Sequence, residues 1–448
     1  MQRQQSFTLL TAAFLTVGVL VATTSAFAAG PERVLYSFCS ASNCADGQNS
    51  WAGLIFDSAG NLYGTTAAGG SGQYCYLGCG TVFKLAPGTD GQWTETVLYS
   101  FCSLSSCTDG ASPYDALIFD SAGNLYGTTA AGGTGVCFSD GGEGCGTVFE
   151  LTPGSNGQWT ETVLHTFCSA DNCTDGAYPY AGLIFDSAGN LYGTTADVPI
   201  NSGTGCYPGG PGCGKVFQLR PGADGHWAYK ALHNFKGKDG ATPELGNLIF
   251  DASGNLYGTT SFGGRLSMCI NGCGTVFELS PNANDEWTEK VLHSFDGKDG
   301  TSPLFGLVFD TAGNLYGTTY GGGRFAYGTV FQLTPGANGQ WTEKVLYAFD
   351  SSDGADLGSG LIMDSTGNLY GSTNIGGANN LGTVFRLSPG AGGKWKETRY
   401  SFQTENDGAG PTGNLIFDHG GNLYGTTFGG GNRAPGCDGC GTVYEITP

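Results

Sequence analysis

The 448-residue sequence is poor in basic side chains: 18 Lys and Arg stand against 38 Asp and Glu, a formal net charge of -20. Nucleic acid and anionic membrane surfaces both require a basic footprint, so neither is expected as a partner. Long apolar runs are missing after the first thirty residues, and none approaches the roughly 20 residues that a membrane span needs. No stretch carries a helical period. Gly-x-Ser-x-Gly, His-Glu-x-x-His and phosphate-cradling loops are absent too, so the sequence offers no motif for those catalytic chemistries. In abundance are glycine, with 80 residues, aromatics at 12%, and 16 cysteines. Such a chain turns often and still has the material for a core.

The first 28 residues read as a secretory signal, with Arg3 in a polar start, an apolar run from Phe7 to Ala22, and Ala26-Phe27-Ala28 before the cut. No cysteine follows to carry a lipid. Residues 29–448 are expected to form one exported domain, monomeric, extracellular or on the cell surface.

Self-similarity dominates that domain. Asn-Leu-Tyr-Gly begins at Asn61, Asn124, Asn190, Asn255, Asn314, Asn368 and Asn422. Around each copy four short segments recur, in the first copy Leu54-Ile-Phe-Asp57, Asn61 to Thr66, Gly80 to Leu85 and Trp93 to Phe101. Each is rich in β-branched and aromatic residues and bounded by turn formers. Four strands per repeat, termed a to d, predict an all-β, seven-bladed β-propeller with four antiparallel strands per blade. Arg33 to Phe38 matches strand d with nothing before it, and the last repeat stops after strand c. The N-terminal strand is therefore expected to close the blade formed by Leu415 to Ile446, three strands plus one.

From the Leu of strand a to the Asn of strand b the interval is 7 residues in every copy. The b-to-c interval instead runs from 14 to 24, and the d-to-a crossover from 12 to 16. All length variation thus lies on one face, which is where a binding site is expected. Cysteines follow the same partition. Near neighbours in d–a crossovers are Cys39 with Cys44, Cys102 with Cys107, and Cys168 with Cys173. Those in b–c loops are Cys75 with Cys79, Cys137 with Cys145, Cys206 with Cys213, Cys269 with Cys273, and Cys437 with Cys440. In an exported chain they read as eight local disulfides. Zinc is disfavoured on the ground that each pair lies on a different blade, while a tetrahedral site needs four ligands.

The recurring Phe-Asp-Ser-Ala-Gly-Asn-Leu-Tyr-Gly-Thr-Thr, Gly-Thr-Val-Phe and Val-Leu-Tyr-Ser-Phe segments resemble the GloVer (Gloeo-Verruco) tandem repeat of choice-of-anchor bacterial surface proteins. More distantly, Asp-x-x-Gly-Asn-Leu-Tyr is similar to the strand turn of NHL-type propeller repeats. The resemblance implies an exported bacterial protein and supplies no catalytic residues.

Several rings of residues are candidates for chemistry. Asp57, Asp120, Asp186, Asp251, Asp310, Asp364 and Asp418 precede Gly-Asn and read as turn formers. Asp46, Asp109, Asp175, Asp239, Asp299, Asp353 and Asp407, each before Gly, read as turns or as carboxylates converging on calcium near the channel mouth; otherwise no cofactor is expected. Tyr36, Tyr99, His165, His233, His293, Tyr347 and Tyr400 share one strand-d position, and Trp93, Trp159, Trp227, Trp287, Trp341 and Trp395 open that strand; both sets read as packing. Arg265, Arg324 and Arg433 lie in b–c loops without a sialidase context. Asp115, Asp140, Glu143 and Asp197 are loop carboxylates whose pairing needs coordinates.

A site must break the sevenfold pattern, and Trp51, Tyr114 and Tyr180 do so just before strand a of the first three blades. Tyr74, Tyr76, Phe138 and Tyr207 add aromatics in the neighbouring b–c loops. These seven are the candidate ligand-binding residues, with loop plugging as the competing reading. The expectation is an extracellular binding protein for a carbohydrate or cell-surface polymer, leaning away from catalysis; the alternative is a secreted carbohydrate-active hydrolase or lyase using loop carboxylates.

Overall fold

The computed structural model describes residues 32–72, 75, 77–137, 144–197, 212–265, 269–434, 437 and 439–447. The signal segment, Tyr74, Tyr76, Phe138, Asp140, Glu143, Cys206 and Tyr207 lie outside them.

The fold is the expected seven-bladed β-propeller. Blade 1 is built from Ile55–Phe56, Leu62–Thr66, Thr81–Pro87 and Trp93–Ser100, hydrogen-bonded in that order as an antiparallel sheet. The pattern recurs around the ring, and blade 7 takes Glu32–Ser37 as its outer strand beside Thr442–Ile446. Blade 6 has an added strand, Ala355–Leu357, which extends strand a along Leu369–Ile375.

Strand b is buried throughout, because Leu-Tyr-Gly-Thr-Thr has a blade on either side of it. Its glycine is dictated by packing: a Cβ at Gly64 would lie 2.7 Å from the ring of Phe83 on strand c. The core is divided among the blade junctions. At each, the strand-d Phe of one blade meets the strand-c aromatic of the next, as in Phe101–Phe149 at 5.0 Å and Phe38–Phe83 at 5.1 Å. The tryptophans that open strand d pack at these junctions as expected, for instance Trp227 against Tyr126 at 6.3 Å.

Strand d contains a β-bulge. Phe83 pairs with Val97 and Val82 with Tyr99, leaving Leu98 extra. Blade 6 keeps an unbroken register here, Phe385 with Arg399 and Val384 with Tyr400. Its c–d hairpin is one residue shorter for that reason.

Candidate functional site on the loop face

The crossovers and b–c loops meet on one face, held by paired bridges such as Gln48 with Ala68 and Ala241 with Phe262. Each crossover is also tied to the b–c loop of the preceding blade. Ser112, Tyr178, Thr242 and Ser302 each donate a backbone N–H to the carbonyl of Cys79, Cys145, Cys213 or Cys273, at 2.7 to 2.9 Å. These donors share a positive φ of 52 to 57°, a repeated fold constraint on non-glycine residues. A disulfide beside that carbonyl therefore stiffens the strap between blades.

Seven of the expected disulfides form. In the crossovers, Cys39 bonds Cys44, Cys102 bonds Cys107 and Cys168 bonds Cys173, each closing a short turn. Cys173 is buried together with Cys168, so this clip belongs to the core of its junction as well as to the loop. Cys213 is disulfide-bonded too. Contrary to the expectation from sequence, distance does not keep these cysteine pairs apart. The b–c loop and the crossover leaving strand d of the same blade bring the sulfurs of Cys39, Cys44, Cys437 and Cys440 within 4.8 Å of one another, and likewise those of Cys75, Cys79, Cys102 and Cys107. Disulfide bonding, rather than distance, occupies these groups, and no described cysteine is free. Bonds of this kind fit an oxidising, extracellular setting. No helix among the described residues is long and apolar enough to cross a membrane.

The turn aspartates behave as read. Asp57 accepts from the backbone N–H of Ala59 and Asn61, both at 2.9 Å, and from the Asn61 amide at 2.7 Å. Partial burial acts to raise its pKa, and these hydrogen bonds hold it below the usual carboxylate range.

The second aspartate ring sits elsewhere than expected. Asp46 accepts from Tyr36 on the outer strand at 2.7 Å and from Ser40 N–H at 2.8 Å; Asp109 does the same with Tyr99 and Ser103. In six copies the carboxylate meets the Tyr or His of strand d, whereas Asp407 accepts from Gln403 and Thr404 N–H. The histidines replace tyrosine as partners: His233 lies 3.0 Å from Asp239 and His293 2.8 Å from Asp299. Glu289 and Glu343 from the following blade complete two groups whose ligand atoms lie within 4.8 Å. Burial raises such glutamates, Glu95 and Glu161 to about 8 and Glu289, Glu343 and Glu397 to about 7, with the adjacent aspartate adding to the shift.

Near the axis, the residues just before strand a of successive blades approach closely. A Cβ at Gly53 would lie 3.0 Å from the Asn414 carbonyl oxygen, and one at Gly306 3.1 Å from that of Asn247. Asn247 and Asn414 accept across the junctions from Gly182 N–H at 2.8 Å and Gly360 N–H at 2.9 Å. Sequence reading missed both, although Asn-Leu-Ile-Phe in two copies against Gly-Leu-Ile-Phe in others was the signal.

Above this constriction opens a narrow funnel with an interior of about 20 Å³, room for one water-sized group, lined by Trp51, Tyr114, Asp115, Leu245, Phe305, Thr412, Gly413 and Asn414. Rings run from it in an arc across four blades. Phe428 lies 4.4 Å from Trp51, Trp51 6.4 Å from Tyr114, Tyr114 5.5 Å from Tyr180, and Tyr180 6.2 Å from Tyr178. Tyr180 is buried at 6% exposure, whereas Phe428 is 38% exposed. The arc is thus packing at its Tyr180 end and open at its Phe428 end.

Asp115 accepts from Ala116 N–H at 2.5 Å and Gly182 N–H at 2.9 Å. Burial nevertheless lifts its pKa to about 6, and Glu244 beside Leu245 is raised to about 7 for the same reason. Asp197 is not part of the funnel. In blade 3 it is buried against Lys215 and Thr195, where the other six blades carry a Thr–Thr hydroxyl pair such as Thr66 with Thr81. Burial pushes its pKa up against the pull of Lys215. Away from the arc, Tyr320, Phe325 and Tyr327 are also exposed, with Tyr320 donating to Asp356 at 3.2 Å and Arg324 over the Phe325 ring at 5.0 Å. Arg433 is engaged by Glu405.

Fold and face together define a disulfide-braced β-propeller with an aromatic funnel on its loop side. The chain belongs to the Gloeobacter/Verrucomicrobia repeat family, whose model matches residues 17–207, 135–365 and 266–448. None of the curated proteins matches it. It is similar to a solved structure assigned as a gluconolactonase, at 15% identity and a TM-score of 0.39 over 84% of this chain and 95% of that one. A glucose-dehydrogenase-type oxidoreductase from Thermus thermophilus gives 15% identity and a TM-score of 0.40 over 93% and 99%. Likeness at this level says nothing of activity.

Proposed function

We propose that this is an exported binding protein whose ligand is a carbohydrate or cell-surface polymer, held on the loop face along the arc from Phe428 through Trp51 to the funnel. The observation that carries this reading is the run of rings, open at one end and leading into a lined cavity, on a rigid scaffold. Sugar faces stack on such rings, and the braced straps keep them in position. Residues 1–28 direct export, which agrees with the disulfides. A second reading, hydrolysis or lysis of the same ligand, draws on Asp115 and Glu244, whose raised pKa values suit proton transfer near neutrality.

Polysaccharide pull-down with the mature chain, assayed in parallel for new reducing ends, separates the two. Binding without turnover is expected. New reducing ends that vanish in Asp115→Asn would favour the second reading. On the scale of aromatic stacking, Trp51→Ala and Phe428→Ala should each weaken binding by about 1–3 kcal/mol. Unchanged affinity in both would place the site off the arc.

A further inference from the structure

Among the residues lining the funnel, Asp115 carries the only ionisable carboxyl and no lysine or arginine is present. Its hydrogen bonds come from two backbone N–H groups and the Asn247 amide, all neutral donors. The walls around it are Trp51, Tyr114 and Phe305, from three different blades, with Leu245 and Thr412 closing the ring. Aromatic faces carry negative quadrupole charge, so three rings about one carboxylate form a site for positive charge that is also apolar. The surrounding field has the same sign, since the chain is at -20. A neutral hexose gains from the rings alone. A cationic nitrogen gains from the rings, the carboxylate and the long-range field.

Resting on the binding function proposed above, we infer that the funnel receives an ammonium group, so that the polymer is one whose repeating unit is an amino sugar with a free, protonated amine. The amine enters the funnel and its ring stacks on Trp51, while further units follow the arc toward Phe428. The narrow floor at Asn247 and Asn414 stops the ligand at the mouth.

The test measures binding of the mature chain to three hexamers of equal length: β-1,4-glucosamine, its N-acetylated counterpart, and β-1,4-glucose. The glucosamine hexamer should bind about tenfold more tightly than either neutral one, and its advantage should shrink as salt rises, because exposed charge attraction is screened. Asp115→Asn should remove that advantage, bringing the glucosamine hexamer to the affinity of the neutral ones. Trp51→Leu, which leaves Asp115 in place, should weaken all three. Equal binding of the three hexamers by the wild type would overturn the ammonium inference and leave the carbohydrate reading standing. Absence of binding by all three would overturn both. A charge advantage that survives Asp115→Asn in a variant of unchanged melting temperature would move the cation site out of the funnel and sink the inference.

Discussion

Asp197 and Lys215 are where a single blade departs from its six siblings at the level of one residue pair. Six blades join strands b and c at this level with two threonine hydroxyls; blade 3 uses a buried ion pair instead. Removing one buried charge leaves its partner unpaired, so Lys215→Met should cost about 3–5 kcal/mol in urea unfolding. The double change Asp197→Ala with Lys215→Thr rebuilds what the other blades have and should recover most of that loss. If the double variant is as unstable as the single one, the pair has a role beyond local compensation. The departure was legible as Gly-Lys-Val-Phe among copies of Gly-Thr-Val-Phe. Its partner was not, because Asp197 reaches Lys215 only when strands b and c lie side by side.

At the scale of the element, strand d supplies six of the seven blade junctions with a glutamate that faces the preceding blade's aspartate, blade 3 having Tyr229 in its place. Glu95 stands near Asp46 and Glu161 near Asp109. Their folded pKa values, about 8, lie above the ordinary value of 4.5. A carboxyl raised on folding binds its proton more tightly in the native chain, so stability is full below about pH 4.5 and declines as pH rises toward 8. The melting temperature should therefore fall steadily from about pH 5 to about pH 8.5. Glu95→Gln should raise it at about pH 8 and change it little at about pH 5. A melting temperature independent of pH across that window would show that these glutamates are solvated. The sequence displayed Glu at this strand position but could not reveal the aspartate opposite, since that contact crosses from one blade to the next.

For the whole molecule, closure of the ring is the decisive feature. Glu32–Ser37 covers the edge of Thr442–Ile446, and Phe38 is fully buried against Phe83 of blade 1. Deleting residues 32–38 should expose that edge, lower the melting temperature and promote association, as read by light scattering. Phe38→Ala, which keeps the strand, should cost about 3–5 kcal/mol. An unchanged melting temperature in the deletion would mean that closure does not depend on this strand. Braces act on the same scale. The folded mature chain should present no free thiol to an alkylating reagent, and reduction should loosen the straps to Cys79, Cys145, Cys213 and Cys273 before it unfolds the sheets.

Repetition, turn chemistry and the truncated copies at both ends were enough, without coordinates, to establish seven blades, the closing strand, the variable face and the cysteine pairs. All of these are local or periodic, and a repeated local rule can be read along one dimension. Contacts across blades had to wait for the ring. It gathered Trp51, the adjacent Tyr114 and Asp115, and Phe305 from three repeats into one funnel, buried Tyr180, seated Asp-Gly carboxylates against the Tyr or His of strand d, and set the cysteine pairs of a b–c loop and of the crossover beyond it side by side. The distance between two repeats around a closed ring is fixed by blade number and packing, quantities that no segment of the chain encodes alone.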